Sequence, residues 1–162
     1  MSGRARVKRI KPQSAGILVY RRRPAGIEVL LAHPGGPFWA KKDAGAWSVP
    51  KGEVAEGEEA LSAARREFEE ETGQALPGPF HDLGEVEQKA GKRVHAFACE
   101  ADIDAAACRS NSVTVEFPRG SGRQITFPEV DRCEWFGVSE AKRRLNPAQI
   151  AFLNRLEALL GE

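Results

Sequence analysis

The segment RREFEEETG, Arg65 to Gly73, constrains this chain more than any other. It sets four glutamates, Glu67, Glu69, Glu70 and Glu71, within five residues, directly ahead of a glycine suited to a left-handed helix end. A helix ends in partial negative charge, so exposed carboxylates there are repelled by about 0.3–1 kcal/mol each. Like charges three or four residues apart add roughly 0.2–0.5 kcal/mol per pair, and no lysine stands four residues on to offset them. On a 3.6-residue wheel Leu61, Ala64 and Phe68 form a core stripe, while Glu67, Glu70 and Glu71 share the adjacent face. Arg66 precedes Glu70 by four and can orient its carboxylate. A solvated acidic face is the ordinary reading of such a run. A local rule broken without compensation points instead to a functional site. Three converging carboxylates are the hard oxygen ligands that Mg²⁺ or Mn²⁺ prefers.

The remaining pattern is that of one α/β domain with a mixed sheet. SAGILVYRR (14–22) and IEVLLAHP (27–34) read as strands joined through Pro24 and Gly26, a hairpin. The Gly/Pro-rich stretch 34–45 reads as a loop carrying exposed aromatics, and WSVPKG as a short strand broken at Pro50. Residues 59–72 are the clearest helix. Residues 82–102 suggest two strands meeting at Ala90-Gly91, and 113–130 a strand, a Gly-rich turn and an extended segment. CEWFGV (133–138) is short and apolar. SEAKRRL opens on a serine cap, and a last helix runs from Pro147 to about Leu160. No repeat or linker divides the chain, and 162 residues suit one core. The division expected is a flexible basic arm, 1–11, followed by a single domain, 12–162.

Several function classes are excluded. A net charge of +1 gives no general pull on nucleic acid or anionic membrane, so stable nucleic-acid binding is not expected. No run approaches the roughly 18 apolar residues of a membrane span. The three cysteines are odd in number and lack CxxC spacing, against a disulfide framework or structural zinc; a reducing cytoplasm is the simplest setting. His33, His81 and His95 lack ligand spacing, and no Ser/His/Asp or Cys/His constellation supports covalent catalysis.

From Gly52 the chain reads GEVAEGEEALSAARREFEEETGQ, which resembles the Nudix box, GX5EX7REUXEEXGU with U a bulky apolar residue. Gly52, Glu58, Arg66, Glu67, Phe68, Glu70, Glu71 and Gly73 stand at the required places, and only the final U, here Gln74, departs. The hairpin before the box and PEVDRCEWF after it also look like the family's usual neighbours. GPFWAKKDAGAWSVPKGE resembles a MutT-like bacterial subgroup of nucleoside triphosphate pyrophosphohydrolases. The resemblance implies an α/β/α sandwich around a mixed β-sheet and hydrolysis of a nucleoside diphosphate linked to another group X, as in a nucleoside triphosphate, a dinucleoside polyphosphate or a nucleotide sugar. It also implies Mg²⁺, with Mn²⁺ as a substitute. By the same resemblance Glu67 and Glu71 are the main metal ligands, Glu70 is shared between ions, the Gly52 carbonyl completes a site and Glu58 supports it. Arg66 would hold a glutamate rather than touch substrate. Family members are often dimers.

The general base in this family often lies late in the fold, before a tryptophan, here Trp135. Glu129 and Glu134 both qualify, and Glu129, after a proline in a segment read as flexible, is preferred; one of the helix glutamates, such as Glu70, is the alternative. For substrate, Lys51 beside the box is the first phosphate candidate, with Arg21, Arg23, Lys41 and Lys42 behind it. Phe38 or Trp39 in the Gly/Pro loop offers a ring for stacking on a base. The group X is expected to be chosen by loops near 34–45, 88–93 and 117–128. The alternatives are an oxidised-nucleotide or RNA 5′-end pyrophosphohydrolase, or a Nudix-fold binding module without catalysis; the complete set of acids argues against the module.

Overall fold

A computed structural model describes residues 13–162; the expected basic arm, 1–11, lies outside the described residues. The strands β1 (Gln13–Arg23) and β2 (Gly26–Pro34) form the expected antiparallel hairpin, with Arg23 opposite Gly26. A third strand, β3 (Lys51–Glu53), pairs antiparallel with the start of β1, Gly16 opposite Lys51 and Ser14 opposite Glu53. The two halves of β1 thus take different partners, β2 along residues 20–23 and β3 along 14–16. The other side of β1 runs parallel to β5 (Arg93–Glu100), which pairs with β4 (His81–Glu87). At the far edge β2 pairs with β8 (Val130–Gly137). The sheet is mixed, in the order β4-β5-β1-β2-β8 with β3 beside β1.

The uninterrupted run Ile17-Leu18-Val19-Tyr20 shows why the strand carries no polar alternation. Successive side chains point to opposite faces, and both faces are covered. Ala15, Ile17 and Val19 pack with Ala63, Ala64 and Phe68 of helix α1 (Ala60–Thr72). Leu18 and Tyr20 pack on the opposite face with Ala141 of α2 (Val138–Arg144) and Phe152, Leu153 and Leu156 of α3 (Ile150–Leu160). The result is the helix–sheet–helix sandwich expected from the sequence.

Three expectations change in detail. Ser139 does not cap α2, because β8 runs straight into the helix through Gly137, leaving Ser139 inside its first turn. The segment 113–130 is a separate two-stranded ribbon, β6 (Ser112–Glu116) with β7 (Gln124–Pro128), off the main sheet. The last strand begins at Val130, three residues before the apolar run that announced it, because Pro34 already finds Val130 opposite it.

Gly73 closes α1 at φ 74°, its N–H donating to the Glu69 carbonyl at 2.7 Å. A side chain in that left-handed conformation costs about 1–2 kcal/mol, and a Cβ there meets nothing closer than the Arg109 carbonyl at 3.4 Å. Gly73→Ala is therefore expected to lower stability by that backbone cost alone. Urea unfolding checks it: a shifted midpoint with unchanged slope is the expected outcome, and an unshifted midpoint contradicts it.

Candidate active site

The acid-bearing face of α1 lies against β3, so the box glutamates meet the backbone at Lys51 and Gly52. Glu71 Oε2 accepts from the Lys51 backbone N–H at 2.7 Å. A Cβ on Gly52 would collide with the Glu67 carboxylate, so glycine is the residue that lets this side chain lie against the strand. Arg66 binds the other acids. It donates to Glu58 through Nε and Nη2 at 2.9 Å, to Glu67 at 2.8 Å and to Glu70 at 3.3 Å, and also to the Glu53 carbonyl at 3.1 Å. In this structure Arg66 thus bonds to three of the box carboxylates.

The charge puzzle at the helix end is answered in two parts. The free carbonyls of the last turn are met by backbone donors from a distant segment: Arg109 N–H to Thr72 at 2.9 Å and Asn111 N–H to Glu70 at 3.2 Å. These donors blunt the negative end of the dipole. Arg66 offsets Glu58, Glu67 and Glu70, and its bonds hold the Glu58 carboxyl down at about 2. Glu71 is what remains. Burial first, then the Glu129 and Glu67 charges, push its carboxyl up to about 8, although the Lys51 N–H and ammonium pull the other way. Glu67 is also raised, chiefly by burial and against the bond from Arg66. Burial likewise lowers the Lys51 ammonium, partly countered by Glu71.

The carboxylates do not form the ready-made cage that the wheel suggested. Among the described residues no three acid, histidine or cysteine side chains converge on one point, because Arg66 stands between Glu67 and Glu70 and a backbone N–H occupies Glu71. The donor set nonetheless fits a hard divalent cation: carboxylate oxygens with the Gly52 backbone against them, and in Glu71 a buried carboxyl pushed up to about 8.

Of the box residues, Gly52 and Glu67 border an open pocket of ≈ 410 Å³ lined also by Lys51, Glu53, Gln88, Lys92 and Glu129, among others. Glu129, expected in a flexible segment, is pinned on both sides instead. Its N–H donates to the Asn111 carbonyl and its carbonyl accepts from Gly35 N–H, each at 2.9 Å. Glu134 stands apart, on β8 beside Arg132 at 3.9 Å, bordering a larger hollow of ≈ 810 Å³ that holds none of the box acids. Arg21 is also elsewhere, paired with Glu28 and Asp102 and 4.1 Å above the Trp135 ring. Lys42 lies 3.5 Å over the Phe38 ring, and Trp39 meets Phe38 edge to face at 4.9 Å, so the loop's cation and aromatics cap one another. None of these lines the pocket with Glu67. His33, without an expected role, is fully buried and ties that loop to β8, with Nδ1 on Asp131 at 3.0 Å and Nε2 on the Lys42 carbonyl at 2.6 Å.

Sequence reasoning named the 88–93 loop for the choice of X but singled out no residue in it; Gln88 and Lys92 are the ones that reach the pocket, from the turn between β4 and β5, and the pairing of β5 with β1 brings them in. The departure at Gln74 has a structural account. Its amide donates to the Asp104 carbonyl at 3.0 Å and to Cys108 Sγ at 3.3 Å, tying the helix end to the 104–108 loop in place of an apolar contact.

Comparison with known proteins gives the same architecture. A family model described as NUDIX domain matches residues 11–156. Among solved structures, a C. elegans Ap4A hydrolase in a binary complex is 22% identical, covering 93% of this chain and 98% of that one, with a TM-score of 0.64. The NUDIX domain of Shewanella oneidensis NrtR complexed with ADP ribose is 14% identical over 93% and 89%, TM-score 0.66. A MutT protein from Methanosarcina mazei Go1 is 20% identical over 94% and 98%, TM-score 0.56. At these identities the structures speak for the fold alone. No curated protein matches the chain.

Proposed function

The chain belongs to the NUDIX family of pyrophosphatase hydrolases, and on that premise we propose that it is a Mg²⁺-dependent enzyme cleaving a phosphoanhydride bond in a nucleoside diphosphate linked to X. The observation that carries this reading is the meeting of Glu67, the Gly52 backbone and Glu129 on one pocket, with the raised Glu71 carboxyl beside them. The Ap4A hydrolase and the ADP-ribose complex among the similar structures agree with a nucleotide ligand. Family members generally use divalent metal ions, and Glu67, Glu70, Glu71 and the Gly52 carbonyl would hold one here.

Phosphoryl transfer leaves little covalent work for the protein; positioning and charge stabilisation dominate. A divalent ion, when bound, supplies charge neutralisation on the phosphates and acidifies a water. Glu129 would take the proton from the attacking water, across the pocket from Glu67. Lys51 would meet a phosphate oxygen. Arg66 would keep the glutamates oriented without touching substrate.

Removing a general base typically costs about 10²–10⁴-fold. Glu129→Gln should therefore lower kcat by about 10²-fold or more, whereas Glu134→Gln, an exposed strand charge beside Arg132, should stay within about twofold on the same grounds. The reverse ranking would move the base to Glu134. The broader test incubates the protein with a nucleotide panel and Mg²⁺ or Mn²⁺, identifying both products by mass. No cleavage across the panel would favour a binding module.

A further inference from the structure

A buried glutamine from the far layer of the sandwich fixes the chemistry of one pocket wall. Gln149 is completely buried, just ahead of α3, on the face of the sheet opposite α1. Its Oε1 accepts from the Val49 backbone N–H at 3.0 Å. A backbone N–H can only donate, so this bond decides which branch of the Gln149 amide is oxygen. The Nε2 branch must then donate, and it meets Ser48 Oγ at 3.0 Å and Gln88 Oε1 at 2.8 Å. The Ser48 hydroxyl passes its own proton to the Val49 carbonyl at 2.8 Å. Each acceptor in the chain is therefore assigned by the donor before it. Gln88 is left with its oxygen turned inward to Gln149, and its N–H₂ has no protein partner among the described residues.

The turn that carries Gln88 is itself closed. Gln88 N–H donates to the Lys92 carbonyl at 2.6 Å, and Gly91 N–H to the Gln88 carbonyl at 3.1 Å. Ala90 takes a left-handed φ of 64°, uncommon for a residue with a side chain and held here by that closure. Gln88 and Lys92 then line the pocket together with Lys51, and neither lysine makes an ion pair among the described residues. Gln88, Lys51 and Lys92 bring a cluster of donors to a pocket that the carboxylates of Glu53, Glu67 and Glu129 and the Ser14 hydroxyl also line.

We propose that Gln149 is a positioning residue that holds the Gln88 N–H₂ toward the pocket, so that Gln88, Lys51 and Lys92 receive a third phosphate of the substrate, outside the diphosphate that is cleaved. The substrate class is accordingly a polyphosphorylated compound, a dinucleoside polyphosphate or a similar extended chain, in preference to a nucleotide joined to an uncharged sugar. An ammonium pair with an amide donor matches an acceptor-only anion, whereas sugar hydroxyls bring donors of their own. This inference rests on the hydrolase reading of the same pocket.

The test compares Gln88→Glu, which presents an acceptor in the same shape, with Gln149→Glu, which once ionised cannot donate and then forces Gln88 to turn its N–H₂ inward. Gln149→Met serves should the buried charge prevent folding, and Gln88→Lys restores a donor. For diadenosine tetraphosphate, KM should rise about tenfold in the Glu and Met variants, the scale of one lost charge-assisted hydrogen bond. The kcat should stay within about twofold and KM should recover in Gln88→Lys, while KM for ADP-glucose should be unchanged. Calorimetry with tripolyphosphate alone should show the same weakening of about tenfold. Equal KM changes for both nucleotides, or native affinity for tripolyphosphate in Gln88→Glu and Gln149→Met, would overturn the assignment. Loss of kcat and thermal midpoint alike, with KM unmoved, would reduce Gln149 to a structural residue and overturn it too. No turnover of any phosphoanhydride, with tripolyphosphate still bound more weakly by Gln88→Glu, would overturn the hydrolase reading and support the donor cluster.

Discussion

Glu71→Gln is expected to retain the fold and lose turnover by roughly 10³-fold, since charge stabilisation by a bound divalent ion is worth several kcal/mol and each 1.4 kcal/mol is a factor of ten. The fold survives because an amide oxygen can still accept from the Lys51 N–H, the one hydrogen bond this side chain makes among the described residues. The same residue gives a pH signature without substrate. Its carboxyl is pushed from 4.5 up to about 8, so between those values the folded chain holds a proton that the unfolded chain releases. Stability from this group is complete below pH ~4.5 and is lost as pH rises through about 8. Metal-free protein should accordingly lose thermal midpoint between pH 6 and 8.5, and Glu71→Gln should lose less. Added Mg²⁺ should raise the native midpoint more at pH 8.5 than at pH 6, where the proton competes, and should scarcely move the variant. Equal turnover in the two proteins would refute the ligand role of Glu71.

Gly52→Ala is expected to be comparably damaging to activity and far milder for the fold. The new Cβ would occupy the space of the Glu67 carboxylate, which is the mobile end of a long side chain and can swing away. What is lost is its place against the Gly52 backbone, the two groups proposed to hold the cation. Turnover should fall by about 10²-fold or more, in keeping with misplacement of a site by an ångström, and the Mg²⁺-induced rise in thermal midpoint should shrink, while metal-free stability stays near native. Urea unfolding separates the cases: a large loss of metal-free stability would mean that the backbone, and not Glu67, had yielded. Native turnover would show that Glu67 does not need its berth on β3.

Much of this was legible because it is local. The β1–β2 hairpin follows from two apolar runs around Pro24 and Gly26, and α1 from its 3.6-residue stripe and terminal glycine. Both emerged with boundaries within a residue or two. The ribbon β6–β7 was only half visible, since an extended segment becomes a strand when it finds a partner, and Gln124–Pro128 found Ser112–Glu116. Convergence of the acids was overstated because a helical wheel shows which carboxylates share a face and not that Arg66 lies among them. The compensating donors at the helix end, Arg109 and Asn111, come from nearly forty residues away and leave no mark in the box.

By itself the sequence determined which acids stand at one end of α1, at what spacing, and that glycine precedes them at 52, because helix period and backbone freedom are properties of neighbours. Only the tertiary structure decided what stands near those acids: Gln88 and Lys92 beside the Glu129 and Lys51 that the sequence already preferred, Glu134, Arg21 and Lys42 elsewhere, and a Gln149 bonded to Gln88 from 61 positions away. These follow from how β1 divides its edge between β2 and β3 and where β5 lies beside it, and strand pairing is settled by contacts between distant segments that no short stretch of chain contains.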